Sequence, residues 1–400
     1  MKKILFSAAM ALVLVSCSRD EVIEINRDSD EIRFGVVTDA ATRAADVYCN
    51  NNLPGAFTVY ANHDGQTYIE GDSIEKEGNA WVNKTGVRYW PEGNVSFYAH
   101  VNGTGFTWAS GEVPTIKDYT VPTAVADQKD LLYAVKTQSK DQVTLNFRHA
   151  LSQIVFQAKN TNANLYVEIK GVTICKLGDK NTFTYPTADT DDNIVNHNGA
   201  EEKITYNDSW GTWADLNGGN TDYPVTFLTA VPVPGDNDDK SLTNTNDTDK
   251  EFSSNAMLLL PQTTTAWNPE DGKPAAQEGT YFLVDCKICN VAGASYDPAT
   301  DVVLWNENAA IPVAFNWEQG KKYIYTFVFG DGNGGYDPNP DDPTPVLLPI
   351  TFDVTVDDFV PVENQDVVMC RYQSKNCNVL FFCEFFQLSA FVRTDIVKDQ

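Results

Sequence analysis

Ile350-Thr-Phe-Asp-Val-Thr-Val-Asp357 alternates without a break. Ile350, Phe352, Val354 and Val356 share one face of an extended chain, and Thr351, Asp353, Thr355 and Asp357 share the other, so the segment reads as a half-buried strand. The same period of two, or an aromatic and β-branched run, recurs at Glu31 to Val37, Ala56 to Ala61, Val95 to His100, Asp130 to Val135, Gln142 to Phe147 and Ile154 to Ala158. It continues at Leu165 to Ile174, Val225 to Ala230, Met257 to Leu260, Thr280 to Cys289, Ile311 to Asn316 and Tyr323 to Phe329. Clusters of Gly, Pro, Asn and Asp separate the runs, and a 3.6-residue period is hard to find outside a short turn at His149 to Gln153. The expected fold is all-β, built of antiparallel β-sandwiches. These runs exceed one small sandwich, so the body divides into two in tandem, at residues 44–150 and 151–335.

Composition narrows the function classes. In 400 residues, 42% hydrophobic and 12% aromatic content is ample for a packed core. Against 29 Lys and Arg stand 55 Asp and Glu, a net charge of −26. Nucleic acid is excluded as a default partner, because phosphate binding needs a basic footprint. A self-repelling particle of this kind stays apart from its copies until a specific contact overcomes the repulsion.

Chemistry-bearing motifs are sparse. The four histidines, His63, His100, His149 and His197, are isolated along the chain, and no GxSxG, HExxH, P-loop or strand-GxGxxG-helix is present. Cys286-Lys-Ile-Cys289 lies in a β-rich run, where residues three apart point to opposite faces and cannot chelate together. Asp331-Gly-Asn-Gly-Gly-Tyr-Asp337 has the acidic spacing of a calcium loop, but Pro338 and Pro340 stiffen it into a solvated connection. No enzyme activity, cofactor or metal is therefore expected. Trp210-Gly-Thr-Trp213 lies in a long polar segment, Thr187 to Gly219, that reads as a surface insertion, as does Gly235 to Ser253. Trp210 and Trp213 are the candidate glycan contact; tryptophans that anchor a loop to its own domain are the commoner case.

Lys2 and Lys3 precede an apolar stretch from Ile4 to Val15, too short to span a bilayer, and Leu14-Val-Ser-Cys17 follows. This start resembles a bacterial lipoprotein signal. The resemblance implies a signal peptide over residues 1–16 and a diacylated, palmitate-type anchor on Cys17 that holds the protein to the outer membrane while the rest stays in water.

Tyr89-Trp-Pro91 with Val95-Ser-Phe-Tyr-Ala99, Asp130-Leu-Leu-Tyr-Ala134, Phe147-Arg-His-Ala-Leu-Ser152, Leu258-Leu-Leu-Pro-Gln262, Ile311-Pro-Val313 and Gly320-Lys-Lys-Tyr-Ile-Tyr325 follow one another in an order that resembles the fimbrillin family of Bacteroidales. The likeness covers roughly residues 17–360. It implies two transthyretin-like sandwiches, export as a surface lipoprotein, trimming by an Arg-specific surface protease, and polymerisation with other fimbrillin subunits by strand exchange, as a stalk, tip or accessory subunit supporting adhesion. A host surface or a glycan is the implied ligand.

The residues supply a physical route. Ile32, Phe34 and Val36 alternate on one face of a first strand within a propeptide, 17–43, that ends at Thr42-Arg43-Ala44. Arg43 in Asp39-Ala-Ala-Thr-Arg-Ala-Ala-Asp46 is a natural cut site, with Ala44 as the new N-terminus. Loss of the first strand exposes an apolar groove with unpaired backbone groups that another chain's strand can fill. A stiff, extended Asp/Pro linker over 336–345 leads to the donor candidate in 346–369, with Ile350, Phe352, Val354 and Val356 as its filling side chains. Completing its own second domain is the alternative for that strand. Residues 370–400 depart from the family pattern: three of the eight cysteines and Val379-Leu-Phe-Phe-Cys-Glu-Phe-Phe386 make a tail unlike the body. The rival function is a glycan-binding surface lipoprotein displaying the Trp210 to Trp213 loop.

Overall fold

The structure, a computed structural model, describes residues 31–38, 54–109, 112–190, 206–242, 256–291, 296–330, 335–346 and 350–358. Strand dominates these residues, and the only helices among them are single 3-10 turns. The first strands in chain order are β1 (Phe34–Thr38), β2 (Ala56–His63), β3 (Gln66–Glu77), β4 (Ala80–Asn83), β5 (Val95–Val101), β6 (Phe106–Thr107), β7 (Thr115–Thr120), β8 (Leu132–Gln138) and β9 (Val143–His149). The second group is β10 (Ser152–Asn160), β11 (Leu165–Leu177), β12 (Lys180–Thr184), β13 (Thr212–Trp213), β14 (Thr221–Pro234) and β15 (Lys240–Ser241). It ends with β16 (Met257–Leu259), β17 (Tyr281–Asn290), β18 (Val302–Pro312), β19 (Lys321–Phe329) and β20 (Ile350–Asp358). The all-β fold class read from the alternation is borne out.

Local chemistry sets the registers. β2 and β3 join through Asp64-Gly65, both with positive φ (51° and 77°), the requirement of a two-residue hairpin turn whose twist suits the flanking strands. Seven strands close into a barrel in the order β1-β4-β3-β2-β5-β8-β9. Its core gathers Phe34, Phe57, Phe97 and Phe147 with Val59, Ile69, Ile74, Val95, Val143 and Leu145. The second core lies between the sheets β15-β10-β19-β20 and β14-β11-β17-β18. In the barrel the first strand runs parallel to the last, β1 beside β9, and in the second half β10 runs parallel to β19; the remaining main pairings are antiparallel.

The two cores share a wall. Along β8, Leu132 and Ala134 enter the barrel core, while Tyr133 and Val135, with Leu131 just before the strand, enter the second core. The strand is buried on both faces, so its near-continuous apolar reading follows from its position. A four-stranded sheet, β13-β12-β7-β6, joins segments from either side of residue 150. β7, placed by the sequence in 44–150, pairs with β12 of 151–335, and β6 extends the same sheet from its other edge. Tyr185 Oη donates to the Ala99 carbonyl at 3.3 Å, and the Phe106 ring stacks on Tyr60 at 3.7 Å, which seats this sheet on the outside of the barrel.

His100 is caught in that seam. It is 5% exposed; its Nδ1 accepts from the Gly103 amide at 3.2 Å, and its Nε2 has no hydrogen-bond partner among the described residues. Burial pushes its pKa down to about 4. The folded chain therefore refuses a proton that the unfolded chain accepts below its ordinary value. Stability contributed by neutral His100 is present above pH 6.5 and falls as the pH drops from 6.5 towards 4, by about 3 kcal/mol in all. Urea titrations of wild type and His100→Leu across this range are expected to converge with falling pH; parallel curves would contradict the assignment.

Tyr133→Ala empties the second-core side of the shared wall and is expected to cost about 3–5 kcal/mol. Because β8 belongs to both cores, calorimetry should show the whole transition lowered. A barrel melting at its unaltered temperature beside a destabilised sandwich would show that the wall does not couple them.

Candidate functional site

The seat of β1 is the candidate site, because it is where a short segment both completes a core and is reached by few backbone bonds. Ile32 and Phe34 are 5% and 3% exposed, and Val36 is half-buried against the same core. The Phe34 ring meets Phe57 and Phe97 edge-on, each with centroids 5.9 Å apart. Such pairs add about 0.5–1.5 kcal/mol to the burial itself. Ile32 and Phe34 alone account for on the order of 5 kcal/mol of apolar burial.

Backbone pairing is lopsided. All five residues of β1 pair in parallel with Val143–Phe147 of β9, whereas β4 meets β1 at one position, Phe34 opposite Trp81. The Val143 amide donates to the Arg33 carbonyl at 2.7 Å, and Gln142 Nε2 donates to the Phe34 carbonyl at 2.9 Å. Upstream, the Ile32 amide donates to the Arg88 carbonyl at 2.8 Å, beside a bridge between Glu31 and Tyr89.

Arg88 is itself fixed. Its guanidinium grips Asp72 in a bidentate pair, Nε to Oδ2 at 2.7 Å and Nη2 to Oδ1 at 2.9 Å, and Asn83 Nδ2 adds a third bond at 2.7 Å. Burial pushes the Asp72 carboxyl up, but these hydrogen bonds outweigh it and hold the pKa below the usual carboxylate range. The carbonyl that receives β1 thus belongs to a residue locked into the barrel rather than to a loose loop. The sequence reading missed Asp72 and Arg88; an Arg one residue before Tyr89-Trp-Pro91, in a chain poor in arginine, was the available signal.

The donor candidate lies elsewhere. β20 is the edge strand of the β15-β10-β19-β20 sheet and pairs antiparallel with β19 over its full nine residues, Ile350 opposite Phe329 and Asp358 opposite Lys321. Ile350 is buried, whereas Val354 and Val356, on the same face, are 39% and 49% exposed. The strand starts against the core and overhangs it. Cys17, Arg43 and Ala44 lie outside the described residues, as does the tail 370–400.

Two expectations need correction. The segment 336–345 is not an extended spacer. It folds back as a hairpin, with the Val346 amide donating to Gly335 at 2.9 Å and the Asp337 amide to Thr344 at 2.8 Å. Tyr336, a buriable aromatic inside the Asp/Pro run, is the reason, as its ring meets Trp267 edge-on at 5.8 Å. The Trp210 and Trp213 loop is likewise no free-standing platform. Trp210 is 6% exposed beneath the buried Arg148, whose guanidinium carbon lies 4.2 Å from its ring, and Trp213 Nε1 donates to the Ala150 carbonyl at 2.6 Å. Gly211 makes this possible, since a Cβ there would sit 2.1 Å from the Phe183 ring. The indoles anchor the loop across the shared wall.

Nothing in this arrangement is set up for catalysis. Cys286 is buried in the second core, with its thiol pushed up to about 12 by burial, and among the described residues no group of His, Cys, Asp and Glu is placed to hold a metal. No helix among them is long and apolar enough to cross a membrane.

Among the described residues the first strand, β1, closes a barrel and the last, β20, lies at a sheet edge, in an all-β protein. The chain belongs to the fimbrillin-like family, whose sequence profile matches residues 42–356. Membership carries the coarse function with it: a fimbrial, non-enzymatic protein of the cell surface. A fimbrial protein from Bacteroides vulgatus shares the fold, with a TM-score of 0.52 at 14% identity over 83% of this chain and 100% of that one. A candidate cell adhesion protein from Bacteroides ovatus aligns at a TM-score of 0.43 and 15% identity, over 84% of this chain and 100% of its own. No curated protein matches the sequence.

Phe34→Ala is expected to cost about 3–4 kcal/mol of barrel stability, a buried-aromatic truncation. Hydrogen exchange read at the Val143 amide should accelerate accordingly. Unchanged protection there would mean that β1 is not what closes the barrel.

Proposed function

We propose that the protein is a fimbrial subunit anchored through a lipid on Cys17, activated by an Arg-specific protease that cuts between Arg43 and Ala44, and joined to its neighbours by strand donation. The cut frees β1 from the chain that follows it. Ile32, Phe34 and Val36 then leave a slot between β4 and β9, and the β20 strand of another subunit fills it with Phe352, Val354 and Val356, and with Ile350 where the strand is drawn out fully.

The single observation that carries this reading is the seat of the first strand: Ile32 and Phe34 deep in the barrel core, with a full ladder on the β9 side and, on the other, one residue pair with β4 and the Ile32 amide on the Arg88 carbonyl beside the Glu31–Tyr89 bridge. Such a segment is stable while tethered and removable once cut. β20 fits the complementary role. Among the described residues it is paired along one edge only, and Val354 and Val356 are 39% and 49% exposed. Between β4 and β9 of a neighbour both edges pair and the apolar face is covered. Four such side chains supply on the order of 6–12 kcal/mol, enough to offset diffuse repulsion between acidic subunits.

Treating the purified protein with an Arg-specific protease and running it unboiled should give a ladder of multimers. Arg43→Ala should abolish the ladder without altering the fold. A ladder from Arg43→Ala, or none from the cut wild type, would contradict the proposal.

A further inference from the structure

The hairpin 335–346 is fastened to the second domain along its length. Tyr336 and Ala310 of β18 exchange two backbone hydrogen bonds, both 2.8 Å, and the Tyr336 ring packs on Trp267, itself 1% exposed. Asn339 Nδ2 donates to Glu307 Oε2 at 3.2 Å, and Lys273 pairs with Asp341 at 2.6 Å, an exposed contact that adds little. At its far end Val346 is 7% exposed and belongs to the second core. Undocking the hairpin means losing this burial together with the bridge to β18, whereas peeling β20 from β19 replaces one edge pairing by another.

The fixed point therefore lies close to the strand to be donated. Phe352 is six residues beyond Val346 and Val356 ten. An extended chain spans at most about 3.5 Å per residue, so Phe352 reaches about 20 Å from Val346 and Val356 about 35 Å. Were the hairpin to come loose back to Phe329, the end of β19, Phe352 would reach about 80 Å.

We infer that the hairpin stays docked during assembly and that its outer face, around Asp342, is the surface on which the barrel of the next copy of this chain sits. The inference rests on the strand-donation reading and adds to it the place of contact: a short leash keeps the point where the neighbour's β4–β9 slot takes Phe352 within about 20 Å of Val346, beside the hairpin. Asp342 is exposed in the isolated chain, as a surface awaiting a second copy requires.

The test is photo-crosslinking. Benzoylphenylalanine replaces Asp342, the protein is cut with the Arg-specific protease, irradiated, and the adducts are mapped by mass spectrometry. Adducts between the hairpin of one subunit and the barrel of another, alongside a normal ladder, are the expected result. Adding Tyr336→Ala, which unpins the hairpin, should reduce their yield several-fold while the ladder persists. A ladder with adducts only inside one subunit, or with a yield indifferent to Tyr336→Ala, overturns the inference and leaves strand donation standing. The absence of any ladder overturns both.

Discussion

The barrel depends on Phe34. Its ring completes an edge-to-face cluster with Phe57 and Phe97, so the core is whole only while β1 stays in place. β1 does so through five residue pairs on β9 and a single pair on β4. Phe34 thus fills the core from a short strand that has a full ladder on one edge and a single pair on the other. The second domain is built otherwise. Its first strand, β10, is paired by β19 on one side and by β15 and β16 on the other.

The same lopsidedness appears in mirror form at the end of the chain. Among the described residues β20 has a full ladder on one edge and no strand on the other, and along its apolar face Ile350 is buried while Val354 and Val356 are exposed. A strand in that state is neither surplus nor committed. In the proposed exchange, leaving β19 while the barrel slot is occupied would uncover Tyr323, Tyr325 and Phe327 for no return, whereas an empty slot would turn the second edge and the buried face into gains. Charge reinforces the threshold, because at −26 per chain unspecific association is opposed and the specific contact has to supply the whole driving force.

Much of this was legible in the sequence, and the gaps have identifiable causes. Period two marked the strands, and the alternation of Ile32, Phe34 and Val36 marked the face that the barrel buries. The strands divide at residue 150, between β9 and β10, yet β8 faces both cores, which was not legible because Leu132 and Tyr133 look equally apolar whichever core receives them. Alternation says that two faces are buried, not that they belong to two domains. The polar segment around Thr187 to Gly219 reads as surface by composition, yet Thr190, Ser209 and Trp210 are buried, since Arg148 needs their carbonyls and ring. The Asp/Pro run at 336–345 reads as a spacer for the same reason: one tyrosine among prolines and acids is a weak signal until a Trp267 is found opposite it. Long-range partners of single residues decide such cases, and periodicity is blind to them.

The claim beneath all of this is that cutting the chain after the first strand creates a vacancy shaped for the last one. Native mass spectrometry of the Arg-cut protein, mixed with a synthetic peptide spanning residues 350–358, addresses it directly. The account predicts loss of the N-terminal fragment and a one-to-one gain of the peptide's mass, with the uncut protein taking up none. Retention of the fragment in the presence of excess peptide, or equal uptake by the uncut protein, would contradict it.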